Sequence, residues 1–180
     1  MNLQPKWGRR GMAVAPHALA AESAVSVLRE GGNALEAMIS AAATIAVVYP
    51  HTHSIGGDSF WVIHRPGHAV GGIDACGASA GLASRDWYAQ QGITQTIPFR
   101  GPVAANTVAG TLSGWGAAHQ LSSRTLGGRM TLKRLLDDAI AYAKTGVPVT
   151  HSQHQLTAAK LPDLKNQPGF AEVFDGLRGK

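Results

Sequence analysis

The stretch 50–63, with the sequence PHTHSIGGDSFWVI, decides how this chain folds. It joins an Ala-rich helical segment to the apolar run 60–63 through a loop of Pro, His and Gly. Because glycine has no Cβ, a pair of glycines permits a sharp turn or a close approach of the backbone to another segment. The order of helix, glycine loop and strand predicts an α+β fold, with the loop leading directly into the sheet.

Two helices are predicted before this loop, over Ala18–Arg29 and Ala34–Val48, on apolar residues that recur at helical spacing. Gly31 and Gly32 end the first helix. Asn33 is typical of an N-cap, and Glu36 stands three residues later, where a carboxylate reaches back to the cap N–H. The second helix is small or apolar on nearly all sides, which predicts burial between neighbours. The short connection predicts a tight helical hairpin.

After the loop, strands are predicted over 59–64 and 69–76, joined as a hairpin by a Pro-Gly turn. The unbroken apolar run of the first strand predicts burial on both faces, including Trp61 and Ile63. Further helices are predicted over 84–90, 111–121 and 132–144, the second ending at a polar break over 122–124. Residues 101–110 are predicted to be irregular, and the tail after Pro148 shows only weak periodicity.

Length and composition predict a single domain over 1–180 with its own core. The net charge is 16 − 11 = +5, but only Lys6, Arg9 and Arg10 cluster, so no basic face for nucleic acid is expected. The apolar part of the second helix, from Ala37 to Tyr49, is too short to cross a membrane. No secretory leader is visible at the start, and one cysteine forms no internal disulfide, which favours a cytoplasmic protein.

Three chemical alternatives arise from single residues. The eight histidines suggest a metal site, but no set of three or four ligands has the spacing of a zinc site, so no metal is predicted. Gly57-Asp58-Ser59 raises a serine hydrolase of the Gly-Asp-Ser type, although the tail has no matching Asp and His pair. Cys76 raises a thiol nucleophile, although no positive neighbour in sequence lowers its pKa. A non-catalytic binding or scaffold domain is the remaining class.

Several segments, taken in order, resemble the start of the large subunit of the gamma-glutamyltranspeptidase family. They are GMAVAPH at 11–17, LREGGNA at 28–34, VVYPH at 47–51, IGG at 55–57, VAGT at 108–111 and AKTGVPV at 143–149. The last two are similar to the family's Val-Pro-Gly-Thr and Ala-x-x-Gly-Phe-Pro-Val. The resemblance extends from Gly11 to about Phe174.

This resemblance implies an N-terminal nucleophile (Ntn) hydrolase with a four-layer αββα sandwich, of which this chain supplies a part: the strand hairpin, with the Gly31-Gly32 helical pair on one face. It implies an autoprocessing precursor in which a Thr at the new N-terminus attacks an amide carbonyl. That Thr and the oxyanion-hole glycines belong to the small subunit, so the nucleophile is expected beyond Lys180 and this chain alone is expected to be inactive. The implied partners are the remainder of the large subunit, the small subunit and a small amide substrate. No cofactor is implied.

The resemblance also implies which residues approach the substrate. Members that act on gamma-glutamyl compounds carry an Arg after the second strand, in a pattern like Asp-x-Arg-Glu, and it holds the substrate's α-carboxylate. Here Cys76 stands at that position, and Arg85 is the nearest Arg downstream. His51, Gly56 and Gly57 are expected in the loop near the site. Losing the Arg favours relatives of the cytoplasmic branch, which hydrolyse small acid amides such as oxamate.

Overall fold

The computed structural model describes residues 7–174, so Lys6 of the basic cluster lies outside the described residues. Seven helices and two strands follow one another in this range. They are α1 (Ala18–Arg29), α2 (Ala34–Val48), β1 (Ser59–Ile63), β2 (Gly71–Ala75), α3 (Arg85–Gln90), α4 (Thr111–Thr125), α5 (Leu132–Thr145), α6 (His151–Leu164) and α7 (Phe170–Phe174), with one 3-10 turn at Pro102–Ala104. The combination of helices with a small sheet confirms the predicted α+β class.

The contacts divide the chain into two units. Unit 1 contains Met1–Ser54 and Trp115–Pro148, and unit 2 contains Ile55–Gly114 and Val149–Lys180. The chain therefore leaves unit 1 immediately before the Ile55-Gly56-Gly57 segment and returns within α4.

Unit 1 is built on the predicted helical hairpin. Asn33 caps α2 by accepting hydrogen bonds from the N–H groups of Leu35 and Glu36, and the Glu36 carboxylate accepts from Asn33 N at 2.9 Å. The capping box confirms the sequence prediction at this end. α1 and α5 both pack on α2, which explains why α2 is apolar on nearly all sides.

The Glu36 carboxylate also reaches a distant segment of unit 1. It is only 1% exposed, and its Oε1 accepts from Met130 N at 2.8 Å, one residue before the N-cap Thr131 of α5. Buried carboxylates need such partners because dehydration of the charge is costly. One side chain therefore satisfies the start of α2 and fixes the segment that leads into α5.

Unit 2 is built on the antiparallel hairpin β1–β2, whose register pairs Ser59 with Ala75 and Ile63 with Gly71. The start of α4 lies against one face of it. A Cβ on Gly114 would come within 2.2 Å of Ser59 Oγ and 2.8 Å of Ala75 Cβ. Only glycine therefore permits this approach of helix to sheet.

The predicted burial of β1 on both faces is wrong. Trp61 and Ile63 are half-buried, whereas Phe60 is 69% and Val62 is 86% exposed. In the described residues the sheet has only two strands, and α4 reaches the face of Ser59 and Ala75. An apolar run predicts burial, but burial requires a layer on each side, and the outward face of this hairpin is not covered within the described part of the chain.

Two other expectations are corrected. The polar break over 122–124 is helical, because α4 continues to Thr125 and the buried Ser122 Oγ accepts from Asn33 Nδ2 at 2.7 Å. The tail contains the 14-residue helix α6, which begins at the N-cap Thr150 and includes Pro162. Its low amphipathicity hid it from the periodicity argument.

Candidate functional site

The loop before β1 is held by its backbone. The carbonyl oxygen of Gly57 accepts hydrogen bonds from Gly110 N at 3.0 Å, Thr111 N at 2.9 Å and the Thr111 hydroxyl at 2.7 Å. The threonine of the VAGT segment therefore clamps the glycine pair of the IGG segment, 54 residues earlier. Two short motifs that are distant in sequence become one structural element, which we call the glycine clamp (Gly57, Gly110 and Thr111).

Asp58 directly follows Gly57 of the glycine clamp, and its carboxylate faces the end of β2. Its Oδ1 accepts from Gly77 N at 3.0 Å, and its Oδ2 accepts from the Cys76 thiol at 3.5 Å. Cys76 N in turn donates to Asp74 Oδ1 at 2.9 Å. The structure therefore brings together Asp58, Asp74 and Cys76. The sequence did not predict this contact, because Asp58 was considered only as part of the Gly57-Asp58-Ser59 motif.

This arrangement determines the chemistry of Cys76. The side chain is exposed. The hydrogen bond to Asp58 raises the pKa of the thiol, and the negative charges of Asp58 and Asp74 act in the same direction. A thiol kept protonated is a poor nucleophile, because the thiolate is the reactive species. The geometry therefore disfavours Cys76 as a nucleophile.

Backbone crowding fixes Gly77 beside it. A Cβ on Gly77 would lie 1.4 Å from the carbonyl oxygen of Val108, and one on Gly110 would lie 2.0 Å from that of Ala75. Real Cβ atoms do not approach backbone atoms so closely, so both positions require glycine. The segment 75–77 and the segment 108–110 therefore run in direct backbone contact.

The serine alternative finds no support in the geometry of β1. The hydroxyl of Ser59 is buried and has no hydrogen-bond partner among the described residues. A serine nucleophile needs a base within hydrogen-bond distance and access to substrate. Ser59 is therefore a strand residue beside Gly114.

Arg85 lies apart from the Cys76 contacts. It begins α3 and, with residues of the segment 83–97, lines a cavity of about 650 Å³. The lining contains Asp86, Thr94, Gln95 and Thr96, but neither Cys76 nor Gly57. The structure therefore places Arg85 at this cavity, and Cys76 is not among the residues that line it.

His51 belongs to unit 1, whereas Gly56 and Gly57 belong to unit 2. The imidazole of His51 packs on the ring of Tyr49, with 4.0 Å between centroids, and His53 and His17 approach the same ring at 6.0 and 6.1 Å. Burial lowers the pKa of His51, and the charge of His53 lowers it further. His51 is thus a packed residue at the end of α2.

This packing predicts a dependence of stability on pH. Because the folded-state pKa of His51 is lowered, its contribution is present above the unfolded pKa of about 6.5 and is lost as pH falls through the folded value. We expect the melting temperature of His51→Gln to fall less between pH 7.5 and 5 than that of the unmodified protein. Equal falls in thermal melts of the two proteins would contradict this, and His154→Gln on α6 is the matched control.

Two observations concern other classes of site. Among residues 7–174, no group of three or more His, Cys, Asp or Glu side chains is arranged to hold a metal ion. In the same range no helix combines the length and the apolar character that crossing a membrane requires.

Comparison with known proteins shows to which family this chain is similar. Residues 20–179 match the family model described as gamma-glutamyltranspeptidase. The chain is 54% identical over 164 residues to the oxamate amidohydrolase proenzyme of Klebsiella pneumoniae and 36% identical over 174 residues to the glutathione hydrolase-like YwrD proenzyme of Bacillus subtilis. These matches cover 91% and 96% of this chain but only 30% and 31% of the relatives. The chain therefore spans about a third of their length.

The fold gives the same result. The solved structure of Helicobacter pylori gamma-glutamyltranspeptidase matches with a TM-score of 0.82 at 27% identity, over 95% of this chain and 48% of that one. The gamma-glutamyltranspeptidase of Pseudomonas nitroreducens, solved in complex with L-DON, matches with a TM-score of 0.82 at 28% identity, over 96% and 50%. The family model covers most of the chain and both helical and strand segments, and the chain belongs to the gamma-glutamyltranspeptidase family.

Proposed function

We propose that this chain is the N-terminal part of the large subunit of an Ntn-type amide hydrolase whose substrate is a small amide of the oxamate class. The similarity to the Klebsiella oxamate amidohydrolase proenzyme, at 54% identity over 91% of the chain, carries this proposal. The αββα sandwich, the remaining large subunit, the small subunit and the cytoplasmic location belong to the same proposal.

The proposed reaction places the chemistry outside this chain. A Thr beyond Lys180 attacks the amide carbonyl, and its own amine, or a water beside it, takes the hydroxyl proton and passes it to the departing nitrogen, so that ammonia leaves as the acyl-enzyme forms. Water then releases the acid and restores the Thr. This chain contributes the scaffold at the end of β2, which the glycine clamp, Asp58 and Gly77 fix in position. A rigid scaffold supports catalysis because reacting groups must be held in one geometry.

The contacts of Cys76 argue against a gamma-glutamyl substrate. Where the resemblance places a carboxylate-binding Arg, the structure has a protonated thiol held by Asp58. A thiol offers no positive charge, so a gamma-glutamyl α-carboxylate would lose its charge-assisted partner there. Such a loss is large enough to change which substrate is preferred.

The test is a comparison of kcat/KM on the full-length protein. We expect oxamate to be hydrolysed at least about tenfold more efficiently than a gamma-glutamyl anilide, because the anilide's α-carboxylate lacks a charge-assisted partner at position 76, and a tenfold ratio corresponds to about 1.4 kcal/mol. Preference for the anilide that Arg85→Ala then removes would mean that Arg85 holds the carboxylate. Absence of a downstream Thr-initiated subunit would leave only the non-catalytic alternative.

A further inference from the structure

The end of β2 has an unusual charge environment, which concerns the substrate rather than the fold. Two carboxylates bond to one residue, since Asp58 accepts from the thiol of Cys76 and Asp74 accepts from its N–H. Within residues 7–174 the ion pairs of Arg100 and Arg134 lie elsewhere, and neither Asp58 nor Asp74 takes part in them. The position therefore carries negative potential where a gamma-glutamyl enzyme is expected to present a cation.

Asp58 has little freedom to turn away. It directly follows Gly57, whose carbonyl accepts the three hydrogen bonds of the glycine clamp, and its other oxygen holds Gly77 N at 3.0 Å. Gly77 is itself pressed against the Val108 carbonyl. A carboxylate anchored at both ends keeps its charge beside position 76 when a ligand arrives.

We propose that Asp58 is a specificity-determining residue, which excludes the α-carboxylate of a gamma-glutamyl substrate from position 76, so that the much smaller oxamate binds with its own carboxylate away from this position. The assignment rests on the proposed function, because that function places position 76 at the substrate. The loss of an Arg is then only half of the change in specificity. A guanidinium introduced at position 76 would pair with Asp58 and be unavailable to a substrate carboxylate.

The first test measures the potential at position 76 without any enzymatic activity. Iodoacetate and iodoacetamide both alkylate a thiolate with loss of iodide, but only iodoacetate carries a carboxylate. The ratio of their rates at Cys76 cancels the thiolate fraction and reports charge repulsion. We expect Asp58→Asn to raise the iodoacetate-to-iodoacetamide ratio about threefold or more, and Asp86→Asn on α3 to leave it unchanged.

The amide oxygen introduced by Asp58→Asn can still accept from Gly77 N, so the variant preserves the loop. Salt supplies an independent measurement on the unmodified protein. The same ratio should rise between about 0.01 M and about 1 M salt, since the screening length falls from about 30 Å to about 3 Å. A ratio that neither Asp58→Asn nor salt changes would overturn the proposal.

The second test separates this proposal from the proposed function. On the full-length enzyme we expect Cys76→Arg alone to give little gamma-glutamyl hydrolysis, and Cys76→Arg with Asp58→Asn to exceed it at least about tenfold in kcat/KM. Equal activity of the single and double variants would show that Asp58 does not set specificity. Failure of the unmodified enzyme to hydrolyse any amide, with the alkylation result intact, would refute the proposed function, and with it the role in specificity, but not the charge effect.

Discussion

Replacing Gly77 with alanine is expected to lower the free energy of unfolding by about 3 kcal/mol or more, because overpacking against a fixed backbone cannot be relieved by a rotamer change. The new Cβ would meet the Val108 carbonyl oxygen at 1.4 Å. The segments 75–77 and 108–110 would have to separate. That movement would also break the hydrogen bond from Gly77 N to Asp58.

Urea unfolding checks this expectation, with Gly81→Ala as the matched control. A Cβ on Gly81 would meet no atom within 4 Å, and its backbone conformation is ordinary. The control should be neutral or slightly stabilising, since alanine restricts the unfolded chain more than glycine does. Unfolding of the two variants at the same urea concentration would show that the backbones at Gly77 and Val108 are not in contact.

Glu36→Ala is expected to be nearly as damaging, at about 3 kcal/mol. The substitution removes the buried acceptor of Asn33 N and Met130 N. Each N–H left unsatisfied costs about 1–3 kcal/mol, and the carboxylate gives charge-assisted bonds that are stronger than neutral ones. The capping box of α2 and the entry to α5 would weaken together.

Glu30→Ala supplies the comparison for this measurement. Glu30 also bonds across unit 1, since Arg134 Nε donates to its carboxylate at 2.7 Å, but its side chain is 43% exposed. An exposed ion pair contributes about 1 kcal/mol or less. If thermal melts or urea unfolding show equal losses for the two variants, the buried contacts of Glu36 have no special importance.

Local signals in the sequence predicted α1, α2 and α5 of unit 1 well. The bounds of α1 and α2 are as predicted, and Thr131 and Gly146 delimit α5 as expected. These ends depend on side chains within a few residues of the backbone groups that they satisfy, so one short window contains the whole cause. The same reasoning supplied Asn33 and Glu36 as a capping box.

The contacts of the site join residues that are far apart in the sequence, so no short stretch of sequence predicts them. Asp58 bonds to Gly77 across 19 residues, and Thr111 bonds to Gly57 across 54. Ser122 was read as part of a polar break because its hydrogen-bond partner, Asn33, lies 89 residues earlier. The sequence is the same whether such a polar side chain faces water or a distant hydrogen-bond partner, so composition does not distinguish the two cases.

Resemblance supplied what periodicity did not, namely the prediction that position 76 matters for substrate. Even so, the resemblance indicated only that the Arg is missing. The neighbouring carboxylate of Asp58 became visible only in the contacts of Cys76. A missing positive charge and an added negative charge have different consequences for which variants could change the substrate.

The bond from Met130 N to Glu36 has a further consequence, because it closes a loop of the chain across 94 residues. Bringing the ends of a flexible loop of that length together costs about 4 kcal/mol in chain entropy. One hydrogen bond to a charged group contributes about 1.5–3 kcal/mol net, which is too little to drive the closure. The burial of apolar residues such as Leu135, which is fully buried in α5, must supply the remainder. The carboxylate then selects one alignment of α5 among the several that apolar packing alone would allow.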